Sequence, residues 1–266
     1  MVIDTATSMS FDPAVIAARQ VLYRFAAMTL LDPKAGTWQQ LGAMRCDTLL
    51  PEAARLICSL PDAKPKELAL GERPLAELDP GKVFERLPNS PEALNDQYEN
   101  TFGLLVSNAC PPYETEFINS NLTFQRSNEL ADISGFYAAF GLTTSIEHPE
   151  RPDHIVLELE FMAFLLSLER QAREENSNLR AERLQICRTA QQRFLKEHLA
   201  WWVPAFAKLL GRENPSGLYA AVGKFLSALI PAERALLCVE PASQPAPTPS
   251  QPERPELCEG CELASS

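Results

Sequence analysis

The segment EHPERPDHIVLELEFMAFLLSLERQAREE, residues 147–175, decides the fold class of this chain. Its middle, IVLELEFMAFLLSL (155–168), is mostly apolar, and its hydrophobic residues recur at helical spacing, which predicts a helix that lies in the core. Pro152 suits the first turn of such a helix, because its φ is already helical and it has no amide hydrogen that needs an acceptor. We therefore predict that Pro152 opens a helix that runs to about Glu174.

The N-terminal end of this predicted helix carries polar residues that a core helix does not need. Asp153 in the first turn would meet the positive end of the helix dipole. His154 and Glu158 are four residues apart, so they share a helix face and can pair, and Glu160 lies one turn into the apolar run. A structural role at the helix end and a role in binding both fit this pattern, and the residues alone leave both open.

Helical spacing dominates the rest of the chain as well, and we find no convincing alternation of the kind that strands show. Residues 61–90 contain five prolines and are predicted to form a long connection with one or two helical turns. Asp12 and Ser90 are natural N-caps, and Gly141 suits a helix end. The further predicted helices cover about 13–32, 36–48, 51–60, 90–105, 127–140, 178–209 (bent or broken near Pro204) and 215–230.

The C-terminal segment EPASQPAPTPSQPERP, residues 240–255, differs in composition from the rest of the chain. It is rich in Pro, Ser and Gln and has almost no apolar side chains, so it cannot bury enough surface to offset the entropy of ordering. We predict a flexible N-terminus over 1–12, one all-helical domain over 13–238, and a disordered tail over 239–266. The tail ends in the motif CEGC, residues 258–261.

The chain of 266 residues is acidic, with a formal net charge of −11. It lacks the basic surface that non-specific nucleic-acid binding needs, and it suits a basic partner such as a cationic peptide. The first residues have neither the basic nor the apolar region of a secretory signal. The longest apolar run, FMAFLLSL, is far shorter than the roughly 20 residues of a membrane span. Seven scattered cysteines are typical of reduced thiols. We expect a cytoplasmic protein that neither enters a membrane nor binds nucleic acid.

Sequence signatures of catalysis are missing, since the chain has no Gly-x-Ser-x-Gly, no HExxH and only three histidines. The segment GLYAAVGKF, residues 217–225, resembles a phosphate-binding loop only superficially, because Phe225 stands where a Ser or Thr would hold magnesium. We predict that it is ordinary helix. Cys258 and Cys261 have a zinc-like spacing, but a closed zinc site needs four ligands. We expect no enzyme activity, no cofactor and no metal, with these two cysteines as the remaining metal or redox candidates.

Four segments, in order along the chain, carry a resemblance to a known family. They are ARQVLYRFAAMTLLDP (18–33), PPYETEF (111–117), LADISGFYAAFGL (130–142) and PDHIVLELEFM (152–162). Together they resemble the TorD/DmsD/NarJ family of cytoplasmic maturation chaperones for molybdenum enzymes, over about residues 13–235. The resemblance implies an all-α fold with a single compact, bundle-like domain and no catalytic activity.

The resemblance also implies a function. The protein would bind the twin-arginine signal peptide, or the N-terminal region, of the apo catalytic subunit of an enzyme of the dimethyl sulfoxide reductase superfamily. It would hold this subunit open for insertion of the molybdopterin cofactor and prevent premature export, with molybdenum cofactor biosynthesis proteins as further partners. The residues that the resemblance assigns to peptide binding are Asp153, His154, Glu158, Glu160, Tyr113, Glu114 and Glu116.

Other interpretations stay open beside this one. A redox- or metal-responsive regulatory protein could use CEGC as its sensor, and an enzyme that acts on a nucleotide is a third class. Trp201, Trp202 and His198 could form a ligand platform, although a core or interface patch is the simpler expectation. Arg19 and Tyr23 are expected to hold the first helix in place. Carboxylates beside an apolar groove favour the chaperone, because a twin-arginine peptide carries two arginines followed by an apolar stretch.

Overall fold

The structure is a computed structural model that describes residues 12–103, 110–118, 123–143, 145, 149–212, 214–242 and 246. Within these ranges the chain is helical, and the single β interaction is an isolated antiparallel bridge between Tyr113 and His154. The predicted all-α fold class is confirmed.

Long connections separate α3 from α4, α5 from α6 and α6 from α7, and the other helices follow one another more closely. In chain order they are α1 (Pro13–Leu30), α2 (Thr37–Arg45), α3 (Leu49–Ser59), α4 (Pro80–Phe84), α5 (Pro91–Phe102), α6 (Thr123–Ala139), α7 (Ile155–Glu174), α8 (Arg180–Phe194), α9 (Ala200–Leu210) and α10 (Leu218–Leu236). Short 3₁₀ turns lie at Pro33–Ala35, Pro61–Ala63, Leu75–Glu77 and Glu114–Phe117, and one π-helical turn, Leu195–Leu199, leads into α9.

The core forms where α7 packs along α1 and α8, and where α10 packs along α9. The apolar face of α7 is fully buried at Leu159, Met162 and Leu165, as its hydrophobic spacing predicts. Phe25 of α1 meets Phe225 of α10 edge to face, with 5.2 Å between the ring centroids. Each such side chain contributes about 1.5–3 kcal/mol through removal from water, so this apolar contact surface stabilises the domain.

The predicted caps explain where several helices begin and end. Asp12 Oδ1 accepts a hydrogen bond from the Ala14 amide at 2.8 Å, and Ser90 Oγ accepts one from the Ala93 amide at 3.2 Å. Gly141 follows α6 with a φ of 75°, a left-handed conformation that glycine adopts without strain. The segment 217–225 lies within the start of α10, as ordinary helix.

Several predicted boundaries are wrong. Helix α7 begins at Ile155 instead of Pro152, because His154 adopts an extended conformation and caps the helix. Helix α6 begins at Thr123, and α10 continues through Pro231 to Leu236. The irregularity expected at Pro204 lies earlier, in the π turn, and α9 passes through Pro204 without a break.

The predicted disordered tail, residues 239–266, starts too early, because its first part is held to the core. Val239 and Ala246 are buried, and the Ala246 amide donates a hydrogen bond to the Trp201 carbonyl at 3.3 Å. Residues 1–11 and the CEGC motif lie outside the described residues, so the predictions of a flexible N-terminus and a disordered tail remain predictions there. No helix in the described part of the chain is both long and apolar enough to cross a membrane.

Arg19 holds α1 through a buried ion pair with Glu233 of α10. The Arg19 Nε and Nη2 donate to the Glu233 carboxylate at 2.9 and 2.7 Å, and both side chains are almost fully buried. Arg19→Met should therefore lower the free energy of unfolding by about 3–5 kcal/mol, because it leaves an uncompensated buried carboxylate. The double variant Arg19→Met/Glu233→Met should lose less than Arg19→Met alone. Urea denaturation measures both, with the exposed Arg45→Met as a control expected to change by less than about 0.5 kcal/mol.

Two truncations test how much the C-terminal segment contributes. Removal of every residue after Pro247 keeps the Ala246 contact and should shift the melting temperature by no more than roughly a degree. Removal of every residue after Glu240 deletes one hydrogen bond and a small buried side chain, a loss of about 1 kcal/mol. A large loss of helicity by circular dichroism in the first truncation would show that the final residues pack on the domain.

Candidate functional site

The site is built where PPYETEF meets the turn that precedes α7. The Glu114 amide donates to the Asp153 carbonyl at 3.0 Å, and the Ile155 amide donates to the Pro112 carbonyl at 2.9 Å. These two bonds form the isolated bridge between Tyr113 and His154. Two of the segments that carry the family resemblance are therefore in direct contact, although about forty residues separate them in sequence.

Asp153 supports this junction from the inside. Its side chain is fully buried, and its Oδ2 accepts hydrogen bonds from the Thr115 amide at 3.1 Å and from the Thr115 hydroxyl at 2.8 Å. Arg151 binds both carboxylate oxygens, with Nε at 3.0 Å from Oδ1 and Nη2 at 2.8 Å from Oδ2. Asp153 thus precedes the first turn of α7 and stabilises the junction through side-chain bonds instead of the helix dipole.

Arg151 connects the buried carboxylate to the surface. Its guanidinium lies 4.2 Å from the centre of the Tyr113 ring and 3.3 Å from Glu116 Oε1, a favourable stacking and ion-pair geometry. The Tyr113 hydroxyl donates to Glu150 Oε1 at 3.3 Å. Partial burial, together with the nearby Glu150 carboxylate, raises the pKa of Tyr113 to about 12. The outer face of the junction therefore presents the guanidinium of Arg151, the carboxylates of Glu116 and Glu150, and the ring of Tyr113.

His154 and Glu158 do not pair with each other as predicted. His154 Nδ1 accepts a hydrogen bond from the Val156 amide at 3.2 Å, and burial lowers the pKa of His154, which suits the neutral ring that this cap requires. Glu158 is fully buried and accepts from the Trp202 indole at 3.1 Å. Burial, and then the neighbouring Glu114, raise the pKa of Glu158 well above its ordinary value. Burial therefore favours the neutral form of the Glu158 carboxyl group.

Glu114 is the centre of a second buried cluster. Its Oε1 accepts from the Trp201 indole at 2.6 Å, and its Oε2 lies 3.1 Å from His198 Nδ1. Burial raises the pKa of Glu114 to about 7, against the effect of His198. For His198, burial lowers the pKa, but hydrogen bonds to Glu114 and Glu129 outweigh this and raise it to about 9. The expected core patch of Trp201, Trp202 and His198 is thus present, and it holds carboxyl groups.

A groove opens beside this junction, between α7 and the C-terminal end of α6. We call it the α6–α7 groove; its volume is about 360 Å³. The Tyr137 hydroxyl donates to the Pro152 carbonyl at 2.9 Å, which joins the groove wall to the Asp153 turn. Glu160 is half-buried at the groove, and burial raises its pKa. The lining residues are Tyr137, Leu142, Thr143, Ser145, Glu150, Leu157, Glu160, Phe161 and Phe164.

The predicted site residues therefore separate into two groups. Glu160 lines the α6–α7 groove, and Tyr113 and Glu116 lie partly exposed at the junction beside it. The other four are buried and support the site from behind: Glu114, Asp153, His154 and Glu158. Sequence analysis missed Arg151 and Glu150 as site residues, although both stand directly beside the Pro-Asp-His motif.

A second groove lies on the opposite side of α6, against α8. This α6–α8 groove has a volume of about 540 Å³ and is lined by apolar side chains that include Phe136, Phe140 and Ile186. Asp132 and Glu182 contribute carboxylates to it, and Arg193 contributes a guanidinium. The larger cavity is thus on the side of α6 away from the Asp153 turn.

Comparison with known proteins identifies the family of this chain. The sequence model of the nitrate reductase delta subunit family matches residues 66–208, which is more than half of the chain. The chain belongs to the nitrate reductase delta subunit family. The matched range contains the junction, both buried clusters and both grooves of this family member. The resemblance drawn from the four sequence segments is confirmed.

Individual relatives are chaperones by name. The chain is 37% identical over 112 residues to a selenate reductase assembly chaperone protein of Thauera selenatis. This alignment covers 42% of this chain and 54% of the relative. It is 34% identical over 116 residues to a chlorate reductase assembly chaperone protein of Ideonella dechloratans, covering 44% and 56%. It is 27% identical over 119 residues to a chaperone protein TorD of Aliivibrio salmonicida, covering 45% and 52%.

These alignments span about half the length of the curated relatives. No solved structure matches the chain.

The buried position of Asp153 makes its replacement more costly than that of its neighbour. Asp153→Ala leaves the Thr115 amide without its acceptor and Arg151 without its main partner, and should lower the free energy of unfolding by about 2–3 kcal/mol. His154→Ala removes a helix cap and should cost about 1 kcal/mol. Urea denaturation of the two single variants measures the difference. Equal losses would contradict the supporting role assigned to the Asp153 carboxylate.

Proposed function

We propose that this protein is a cytoplasmic maturation chaperone for the catalytic subunit of a molybdenum enzyme of the dimethyl sulfoxide reductase superfamily. It binds the twin-arginine signal peptide of the apo subunit, or its N-terminal region, and holds the subunit open for insertion of the molybdopterin cofactor. Membership of the family and the names of three relatives support this class of function. It acts by binding, without catalysis of its own.

The observation that carries the proposal is the α6–α7 groove, because its chemistry matches a twin-arginine peptide. Phe161, Phe164 and Leu157 give an apolar floor for the hydrophobic stretch of such a peptide. Glu150 and Glu160 place two carboxylates at the same groove, where a guanidinium can form charge-assisted, bidentate hydrogen bonds. An extended peptide could therefore bury its apolar side chains while both arginines stay paired.

The partial burial of Glu160 gives the groove its specificity for arginine. A carboxylate in a half-apolar setting is poorly hydrated, as its raised pKa indicates, and it gains more from a cationic partner than a fully exposed one does. A guanidinium is more weakly hydrated than an ammonium and fits a carboxylate in a planar fork. We therefore assign Glu160 to an arginine of the client, with Glu150 as the second acceptor.

The four buried site residues act through the groove wall. Asp153 and His154 fix the start of α7, from which Leu157 and Glu160 project, and Pro152 binds the Tyr137 hydroxyl of the opposite wall. A change at Asp153 would thus alter peptide affinity by displacing the wall, without loss of a direct contact.

Isothermal titration with the client's signal peptide tests the groove assignment. The peptide is taken from the molybdenum enzyme that is encoded nearest on the chromosome. Glu160→Gln should weaken binding about tenfold, which corresponds to about 1.4 kcal/mol. Glu174→Gln is the matched control, because it makes the same charge change on an exposed residue at the other end of α7, and it should change affinity less than about twofold.

A second peptide, with lysines in place of both arginines, tests the recognition of the guanidinium group and should bind about tenfold more weakly. Equal affinity of the two peptides would contradict arginine recognition. An unchanged affinity in Glu160→Gln would place the peptide elsewhere on the chaperone. Absence of binding both to the signal peptide and to the N-terminal region of the apo subunit would overturn the proposed function.

A further inference from the structure

His198 is placed as metal-ligating histidines are placed in proteins. It lies on the π turn Leu195–Leu199, a type of local irregularity that often occurs at functional sites. Its Nδ1 is 3.1 Å from Glu114 Oε2, and Glu114 is itself fixed by the Trp201 indole. A ligating histidine characteristically donates its second ring N–H to a carboxylate, which orients the ring and makes the other nitrogen more basic. Glu114 is such a partner.

The other ring nitrogen faces two carboxylates. His198 is fully buried, and its Nε2 makes no hydrogen bond to any residue of the described ranges. One ring nitrogen of His198, one oxygen of Asp132 and one oxygen of Glu197 all lie within 4.8 Å of one another, and Nε2 is the nitrogen that lies near Asp132. Asp132 and Glu197 are partly exposed, with 56% and 37% of their side-chain surface open to solvent, so a small ion can reach this point.

The distances fit a coordinated ion better than a direct contact. Asp132 Oδ2 lies 3.4 Å from Nε2, at the long limit for a hydrogen bond between these atoms. Zinc bonds of about 2.0–2.2 Å at a tetrahedral angle place two ligand atoms about 3.4 Å apart. We propose that Nε2 of His198, Asp132 and Glu197 form a binding site for a divalent transition-metal cation such as Zn²⁺, with water in the fourth position.

A cation at this point would join two elements that are distant in sequence. Asp132 belongs to α6, whereas His198 and Glu197 belong to the π turn before α9. Glu197 pairs with Arg193 at 3.1 Å on the surface. An exposed ion pair of this kind contributes little stability, so Glu197 can leave Arg193 and bind a cation at little cost in free energy. The bound ion would hold α6 against the π turn at the edge of the α6–α8 groove.

The test uses the full chain with Cys258→Ser and Cys261→Ser, so that CEGC cannot bind the metal. After treatment with a chelator, this protein is titrated with Zn²⁺ alone and, separately, with Co²⁺. We expect one Zn²⁺ per chain with a Kd of about 1 μM or below, and X-ray absorption should show nitrogen and oxygen ligands without sulfur. Saturating Zn²⁺ should raise the melting temperature by about 5 °C.

Variants decide which residues hold the ion. Asp132→Asn is a surface change that should leave the circular dichroism spectrum intact and weaken Zn²⁺ binding about tenfold or more. The matched control is Glu182→Gln, an exposed carboxylate on the rim of the same groove, which should bind Zn²⁺ as the parent does. His198→Gln should abolish binding. Equal affinity in Asp132→Asn and the parent, or binding only at millimolar Zn²⁺, would overturn the proposal even if His198→Gln fails to fold.

Discussion

The buried carboxyl group of Glu114 is the constraint on which the rest of the site depends. A carboxylate removed from water is strongly destabilising unless hydrogen-bond donors surround it. Here the indole of Trp201 and the ring of His198 supply these donors, at 2.6 and 3.1 Å. Glu114 lies in the turn Glu114–Phe117, whereas His198 lies in the π turn before α9 and Trp201 lies at the start of α9. This one requirement therefore fixes the turn against a segment that is distant in sequence. The neighbouring bonds from Thr115 to Asp153 then fix the start of α7 as well.

A second acid close to Glu114 sets the charge of the interior. Glu158 accepts a hydrogen bond from the Trp202 indole, and its burial beside Glu114 raises its pKa and favours its neutral form. Two adjacent buried carboxylates would repel each other in a medium of low polarity, so neutralisation of one is the less costly state. Glu114 can then hold a charge opposite His198, whose pKa is raised in turn. The buried cluster therefore favours the neutral form of Glu158, while Glu114 is held by hydrogen bonds to Trp201 and His198.

Local signals in the sequence predicted the fold class and most helices, because caps such as Asp12 and Ser90 and the apolar face of α7 act within a few residues. The site was harder to predict, since its contacts are distant in sequence. The spacing of His154 and Glu158 indicated a pair, but each side chain has another hydrogen-bond partner. The Val156 amide donates to His154, and the Trp202 indole donates to Glu158. The resemblance brought Tyr113, Glu114 and Asp153 to one region, yet nothing in the sequence distinguished buried Glu114 and Glu158 from half-buried Glu160. Burial depends on which helix packs on which, and a residue list does not contain that information.

Helix α6 is the wall that both grooves share, and this links the two sides of the molecule. Phe136 faces α8 and Tyr137 faces α7, and both rings contact Phe161, at centroid distances of 6.5 and 4.9 Å. A rotation of α6 that widens one groove must therefore move a ring in the other, because Phe161 packs between them. The acidic side chains Glu129 and Asp132 hold α6 to His198, which limits that rotation. The charged groups around His198 and the wall of the α6–α7 groove thus belong to the same helix, α6.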